Sequence, residues 1–599
     1  MGEYMQSIED ALRSVLPYGS NRDLVDNIDA EAASGAGLED VRAYQRAAPF
    51  DDFWIDLPIW PIDMFATAAF LVKRTGAYTF VKPGLPWTAE PDDALPDGVT
   101  TSDPFQLFGE NGELRRYHEL LGLVWRYGLI SEVDQGADDI RAAGQFDGLS
   151  EKSIETLVSY ASEEDLRIKA RRDIKSLWDV VTQACDMDLV LPIGPWEQFS
   201  LYPNRKGVFS ALLRLLIIAD EACDGISKYN ATEEDMPLPW LFIALNHRRE
   251  LTLQEYLEGI DPEGDRAALN YSPPEVFTWA ADEDIAAVTP KSRTASLGCS
   301  LRSLSRNLAL APISTEVKSL WHRTAQADED KSVNVALIPF PWTLPFNAFQ
   351  PSFSEDRLCT RVAARTQWRW FDLNQDGWIG PDLNRGAERN MVIADIKALI
   401  EKAGTLSGDR LDGVILPEGA LDYDLFLSLA ADLIDRSSIE FFICGTSSAP
   451  LNTLLDVHSV ASADTGLKRG NFVCTATFFT DEDGDRQMNI RVQHKHHRWK
   501  LTPQQIIDYG AAGVLDINYD WWENIGISNR TLNFYYFRQH SSFASLICED
   551  LARNDPAQQL LRSVGPSLVF AILMDGPQLP QRWPGRFAAS LSTDPGAGV

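Results

Sequence analysis

Cys548 closes the apolar run Phe543-Ala544-Ser545-Leu546-Ile547 and is followed by the polar stretch Glu549-Asp550-Leu551-Ala552-Arg553. A buried strand that meets the start of a helix at a cysteine holds its sulfur at a sheet edge. Freed backbone N–H groups nearby can stabilise a thiolate or an oxyanion. That is how a nucleophile is displayed; the plainer reading is a small buried hydrophobe. Three other positions supply what a cysteine nucleophile lacks. Glu418 follows the strand-like run 413–416 and Pro417, on the C-terminal lip where carboxylates face a ligand crevice. Lys495 ends the run 489–494, and Glu523 stands in Asp520-Trp521-Trp522-Glu523, where the indoles lower the dielectric around its carboxylate. Taken singly, each has an ordinary reading: a solvated loop acid, a surface lysine, a core edge.

Together the four residue types make a working set. A free thiol ionises near pH ~8.5, so Cys548 needs a base or a positive neighbour to attack at neutral pH. Glu418 can take the thiol proton and later pass one to a departing amine. Lys495 can favour the thiolate and, with the backbone N–H after Cys548, hydrogen-bond the oxyanion of a tetrahedral intermediate. Glu523 can hold the ammonium in place and orient the water that cleaves a thioester. Lys500 is also available five residues on, but strand-end placement favours Lys495. His494, His496 and His497 lack a cysteine partner or helical His spacing, and in a strand 494 and 496 face one way and 497 the other, so a metal site is disfavoured. Asp372-Leu373-Asn374-Gln375-Asp376-Gly377 mimics the opening of a calcium loop, but Leu383 stands where the closing Glu belongs, which favours a tight turn.

The elements that must position these side chains fall into two halves. Residues 1–328 read as mainly helical, with helices over 8–16, from Pro61 to near Gly76, and over 114–127, 150–162, 164–184, 207–223, 276–287 and 300–323. The stretch 207–223, with Leu212, Leu213, Leu215, Leu216, Ile217 and Ile218, is expected to be the central buried helix. Residues 17–48 read as loosely ordered, 83–104 as an exposed connection and 189–203 as irregular. No catalytic constellation stands out there. After the polar link 325–331 the periodicity changes. Strands are expected over 333–340, 412–416, 439–444, 530–537, 543–547 and 567–574, and helices over 393–403, 423–435, 555–563 and 583–592. Residues 472–480 and 487–494 read as a hairpin around the turn 481–484. Alternating strands and helices followed by hairpins predict a layered α/β structure with mixed sheets.

Composition narrows the function classes. The 599 residues are 45% hydrophobic, enough for more than one core. Fifty-four Lys and Arg against 87 Asp and Glu give a net charge of −33, a field that disfavours nucleic-acid binding. Seven cysteines without paired spacing, and an acidic polar N-terminus, imply reduced thiols and a cytoplasmic protein. The most apolar stretch, 57–72, is interrupted by Pro58, Pro61 and Asp63 and is too short to span a bilayer.

The ordered motifs Leu416-Pro417-Glu418, His494-Lys495-His496 and Ile547-Cys548-Glu549-Asp550, with Glu523 25 residues before the cysteine, resemble the nitrilase or carbon–nitrogen hydrolase superfamily. The resemblance covers about 332–599. It implies a C-terminal nitrilase-like αββα sandwich, here preceded by the mainly α-helical N-terminal region. It implies a cysteine-dependent amidase-like hydrolase of a non-peptide amide or nitrile, working through a thioester intermediate. Glu418, Lys495, Glu523 and Cys548 would be the catalytic set, with no cofactor and no metal, in a homo-oligomer. Similar segments occur in bacterial antiphage systems, some fused to reverse transcriptases. The alternative is therefore a catalytically silent sensor or scaffold in antiviral defence, with a protein partner on the helical half. No Tyr/Phe-x-Asp-Asp signature is present, so polymerase activity is not predicted. The family has further strands after the helix expected at 583–592, so the expectation is either a sequence truncated at Val599 or an incomplete last sheet.

Overall fold

A computed structural model of the chain describes residues 6–16, 57–80, 122, 164–183, 190–191, 205–226, 278–294, 300–311, 317–323, 332–352, 368–379, 387–450, 467–480, 485–527, 530–538, 541–575 and 579–599, apart from a few positions inside these ranges. The helices expected over 114–127 and 150–162, the loose segment 17–48 and the connection 83–104 lie outside the described residues. The chain is α/β, with helices and mixed sheets. It divides into two compact units: residues 1–315 with 562–565, and residues 316–561 with 566–599.

In the first unit the described helices of eight residues or more are α1 (Ile8–Val15), α2 (Pro61–Thr75), α3 (Glu164–Gln183) and α4 (Arg205–Ala222). Pro61 at the first turn of α2 and Gly76 beyond its end, at φ +69°, fix the start and stop. Apolar residues run all round α2 and α4, so both helices are buried on nearly every face and form the centre of this unit's core. Two expectations fail here. The described residues within 276–287 are turn and bend leading into a strand at Val288–Pro290. The stretch 300–323 is a short helix, Leu301–Leu304, followed by strands Leu308–Leu310 and Lys318–Arg323. Pro312 cannot sit inside a helix without breaking it, and strand ladders replace the lost helical bonds.

The second unit contains thirteen described strands. The first are β1 (Lys318–Arg323), β2 (Val335–Leu337), β3 (Phe349–Ser352) and β4 (Trp368–Leu373). After helix α5 (Ala387–Leu406) come β5 (Gly413–Leu421), helix α6 (Tyr423–Ile434) and β6 (Phe441–Pro450). Then follow β7 (Leu467–Thr480), β8 (Arg486–His494), β9 (Lys500–Leu501) and β10 (Asp520–Glu523). Last are β11 (Thr531–Arg538), β12 (Ser541–Ile547), β13 (Leu568–Ile572) and helix α7 (Trp583–Thr593).

One sheet has the order β8-β7-β6-β5-β2, with β5 parallel to β6 and β2, and β7 antiparallel to β6 and β8. A second has the order β13-β12-β11-β1 and a third β9-β10-β4-β3. Ile415, Phe441, Ile443 and Val473 of the first sheet share an apolar layer with Tyr535, Phe537, Phe543 and Ile547 of the second. The opposite face of the first sheet packs on α5 and α6 through Ile396, Ile400, Phe426, Leu429 and Leu433. Each of these large side chains, buried on folding, contributes roughly 1.5–3 kcal/mol. Near the end of the chain, Gly598 lies alongside β13, accepting from Val569 N at 2.7 Å and donating to Ser567 O at 2.8 Å.

No helix among the described residues is long and apolar enough to cross a membrane.

Candidate active site

The sequence around Glu418 forces it out of a regular ladder. In β5 the pairing with β6 slips between Leu416 and Leu421, and Gly419 adopts φ +61°. A left-handed residue inside a strand bends the chain and aims the preceding side chain away from the pleat. Glu418 points into a pocket of donors. It accepts hydrogen bonds from Lys495 Nζ (2.8 Å), Asn471 Nδ2 (2.8 Å) and the backbone N–H of Met574 (3.0 Å).

Lys495 follows the last residue of β8, its N–H donating to Asn471 O at 3.0 Å. Its ammonium is wholly buried and gripped from two sides, by Glu418 Oε1 at 2.8 Å and Glu523 Oε2 at 2.7 Å. Burial alone would strip its proton, but the two carboxylates, with a smaller share from Cys548, outweigh it and hold the ammonium charged well above its ordinary range. Glu523, at the end of β10, is also bound by Asn471 Nδ2 at 2.7 Å and Trp499 N at 3.0 Å. Lys500, the other candidate, is half-exposed and pairs with Asp520 at 3.2 Å.

Cys548 follows β12 directly and opens a 3₁₀ turn, Cys548–Ala552. Its φ of +44° is the one positive value at a non-glycine residue among the described positions. Such a conformation costs about 1–3 kcal/mol and persists only where its surroundings enforce it. The thiol lies within electrostatic reach of both Glu418 and Lys495. Burial and the charge of Glu418 push it well above the usual thiol range, with Lys495 opposing, so the resting sulfur is protonated. Cys548 is 5% exposed and packs on one side against the layer between the sheets. The structure therefore brings Glu418, Lys495, Glu523 and Cys548 to one place. A separate surface groove of about 330 Å³, lined by Phe340, Trp342, Trp378 and Met391 among others, includes none of them.

Sequence reasoning missed three residues that build this site. Asn471 touches both carboxylates. Asp550 is buried and accepts from the backbone N–H of His496 (3.1 Å) and His497 (3.0 Å), and it meets His497 Nδ1 at 3.0 Å. It therefore ties the turn after Cys548 to the residues after Lys495. Gln375, buried in the turn just after β4, donates to the carbonyls of Gly419 and Leu421 (3.0 Å to the latter), bracing the bend beside Glu418. The only signals were Asp550 in the cysteine motif and Gln375 inside the calcium-loop mimic. That mimic, expected as a tight turn, runs from the end of β4 into a four-residue helix, Asp376–Ile379, with Asn374 Oδ1 accepting from Asp376 N at 2.9 Å. His494 and His496 are buried, and burial lowers both imidazoles, His494 to about 4. Among the described residues no group of three or more His, Cys, Asp or Glu side chains is placed to hold a metal ion.

Compared with described protein families and with curated proteins, the sequence matches none.

Proposed function

We propose that the C-terminal unit is a cysteine-dependent hydrolase of a small non-peptide amide or nitrile, of the nitrilase kind, with its two facing sheets as the middle of an αββα sandwich. The observation behind this reading is the Lys495 ammonium held at 2.8 Å by Glu418 and 2.7 Å by Glu523, with the thiol on its left-handed hinge within electrostatic reach of the same Glu418 and Lys495.

The reaction follows from where the protons sit. The neutral thiol gives its proton to Glu418 as sulfur attacks the substrate carbon, so no free thiolate has to accumulate in the buried site. Negative charge moves onto the carbonyl oxygen, where Lys495 and the backbone N–H after Cys548 receive it. Glu418, now protonated, passes that proton to the substrate nitrogen: from an amide, ammonia or an amine leaves a thioester on Cys548, whereas a nitrile gives a thioimidate that adds one water before ammonia leaves the same thioester. A water gives a proton to Glu418 and attacks the thioester. The carboxylic acid product leaves and the thiol regains its proton. Glu523 keeps Lys495 in place throughout.

The test is mass spectrometry of the full-length protein after brief treatment with a thiol-reactive probe at neutral pH. Selective modification of Cys548, lost in Glu418→Gln and Lys495→Ala, is expected. Equal labelling of Cys548 in all three proteins would overturn the hydrolase reading in favour of a silent sensor or scaffold.

A further inference from the structure

We infer that Asn471 is a positioning residue that holds the base of this site in place, by donating one N–H to each of the two carboxylates that share a single lysine. The inference rests on the hydrolase reading above. Two buried acids and one ammonium leave one negative charge in excess. Neighbouring carboxylates in that situation tend to relieve their repulsion by capturing a proton, which would disable whichever of them must act as base. Here each acid has three donors of the same kinds. Glu418 has Lys495, Asn471 and the N–H of Met574; Glu523 has Lys495, Asn471 and the N–H of Trp499. Asn471 is the neutral member common to both sets.

Its orientation is fixed by chemistry, because only the NH₂ end of an amide can serve two carboxylates. The carbonyl end is left buried without a hydrogen-bond partner. An unmatched buried acceptor costs about 1–3 kcal/mol, which selection for stability alone would remove by placing an apolar side chain there. The other titratable groups facing Glu418 are Cys548, Glu549 and Tyr509. Asp575, next to Met574, is engaged by Arg582 at 2.8 Å. None of these supplies a neutral donor to both acids.

The experiment follows Cys548 alkylation by iodoacetamide against pH, read by peptide mass spectrometry, in wild type, Asn471→Leu and Asn471→Ser. Without the shared donor the repulsion between the two carboxylates is less relieved, which favours proton uptake by the pair in the variant and moves the acid limb of the labelling profile to higher pH. The expected shift in Asn471→Leu is about one pH unit, about a tenfold loss of rate on the acid side of the limb. Asn471→Ser, which keeps one donor, is expected to lie between and provides the answer should the leucine variant fold poorly. An acid limb that stays at the wild-type pH in folded variants, whatever their melting temperature, would overturn the role of Asn471. Absence of Glu418-dependent labelling in the wild type would instead sink the hydrolase reading itself.

Discussion

Gly445 on β6 faces Glu418 on β5 with no room for a side chain: a Cβ there would fall 2.5 Å from Glu418 Cα and 2.4 Å from Pro417 O. The bend that releases Glu418 from the ladder exists because its neighbour is glycine. Gly445→Ala is expected to cost about 2–4 kcal/mol, read by urea unfolding, and to abolish Glu418-dependent labelling of Cys548. A variant with wild-type labelling would show that the bend does not depend on this contact.

Asp550 should behave as a clamp and not as a reacting group. Asp550→Ala leaves the N–H groups of His496 and His497 without their acceptor, at a cost of roughly 2–3 kcal/mol. Asp550→Asn, which keeps one acceptor oxygen, should recover part of that. The check is chemical denaturation of both variants; equal stability of alanine and asparagine would remove the clamp.

Lys495 is expected to matter for stability as well as chemistry. Lys495→Met leaves two buried carboxylates sharing no cation, and breaking a buried pair in this way costs about 3–5 kcal/mol. Adding Glu418→Gln and Glu523→Gln removes the stranded charges and should restore more than half of the loss. Denaturant midpoints of the single and triple variants decide this, and a triple variant no more stable than the single one would contradict it.

Acid sensitivity should trace in part to His494. Its ring is buried against Phe472, and burial lowers its pKa to about 4 from 6.5. Below pH 6.5 the unfolded chain binds a proton that the folded chain refuses, so stability present above 6.5 is lost as pH falls toward 4. Unfolding free energies measured across that window should fall less steeply in His494→Gln, by up to about 1.4 kcal/mol per pH unit. An unchanged slope would place the acid sensitivity elsewhere.

Much of the second unit was legible in order and type. The strand before Cys548, the paired runs ending at Thr480 and His494, and the helix at Tyr423 follow from period-two or helical spacing and from turn residues. Where reading failed, local pattern met a distant partner. The apolar spacing of 300–323 looks helical, yet Lys318–Arg323 pairs in parallel with Thr531–Tyr536, more than two hundred residues later. The bounds of β6 show the same effect: the strand runs past Gly445 to Pro450 because β7 is there to pair with it.

The sequence by itself determined the residue types at the four candidate positions and the turns that display them, because backbone preferences act over a few residues. Only the tertiary structure decided that these positions meet, that Asn471 bridges the acids, and that the thiol rests protonated. Those outcomes depend on which charges are buried together, and burial is a property of the packed sheets rather than of any segment.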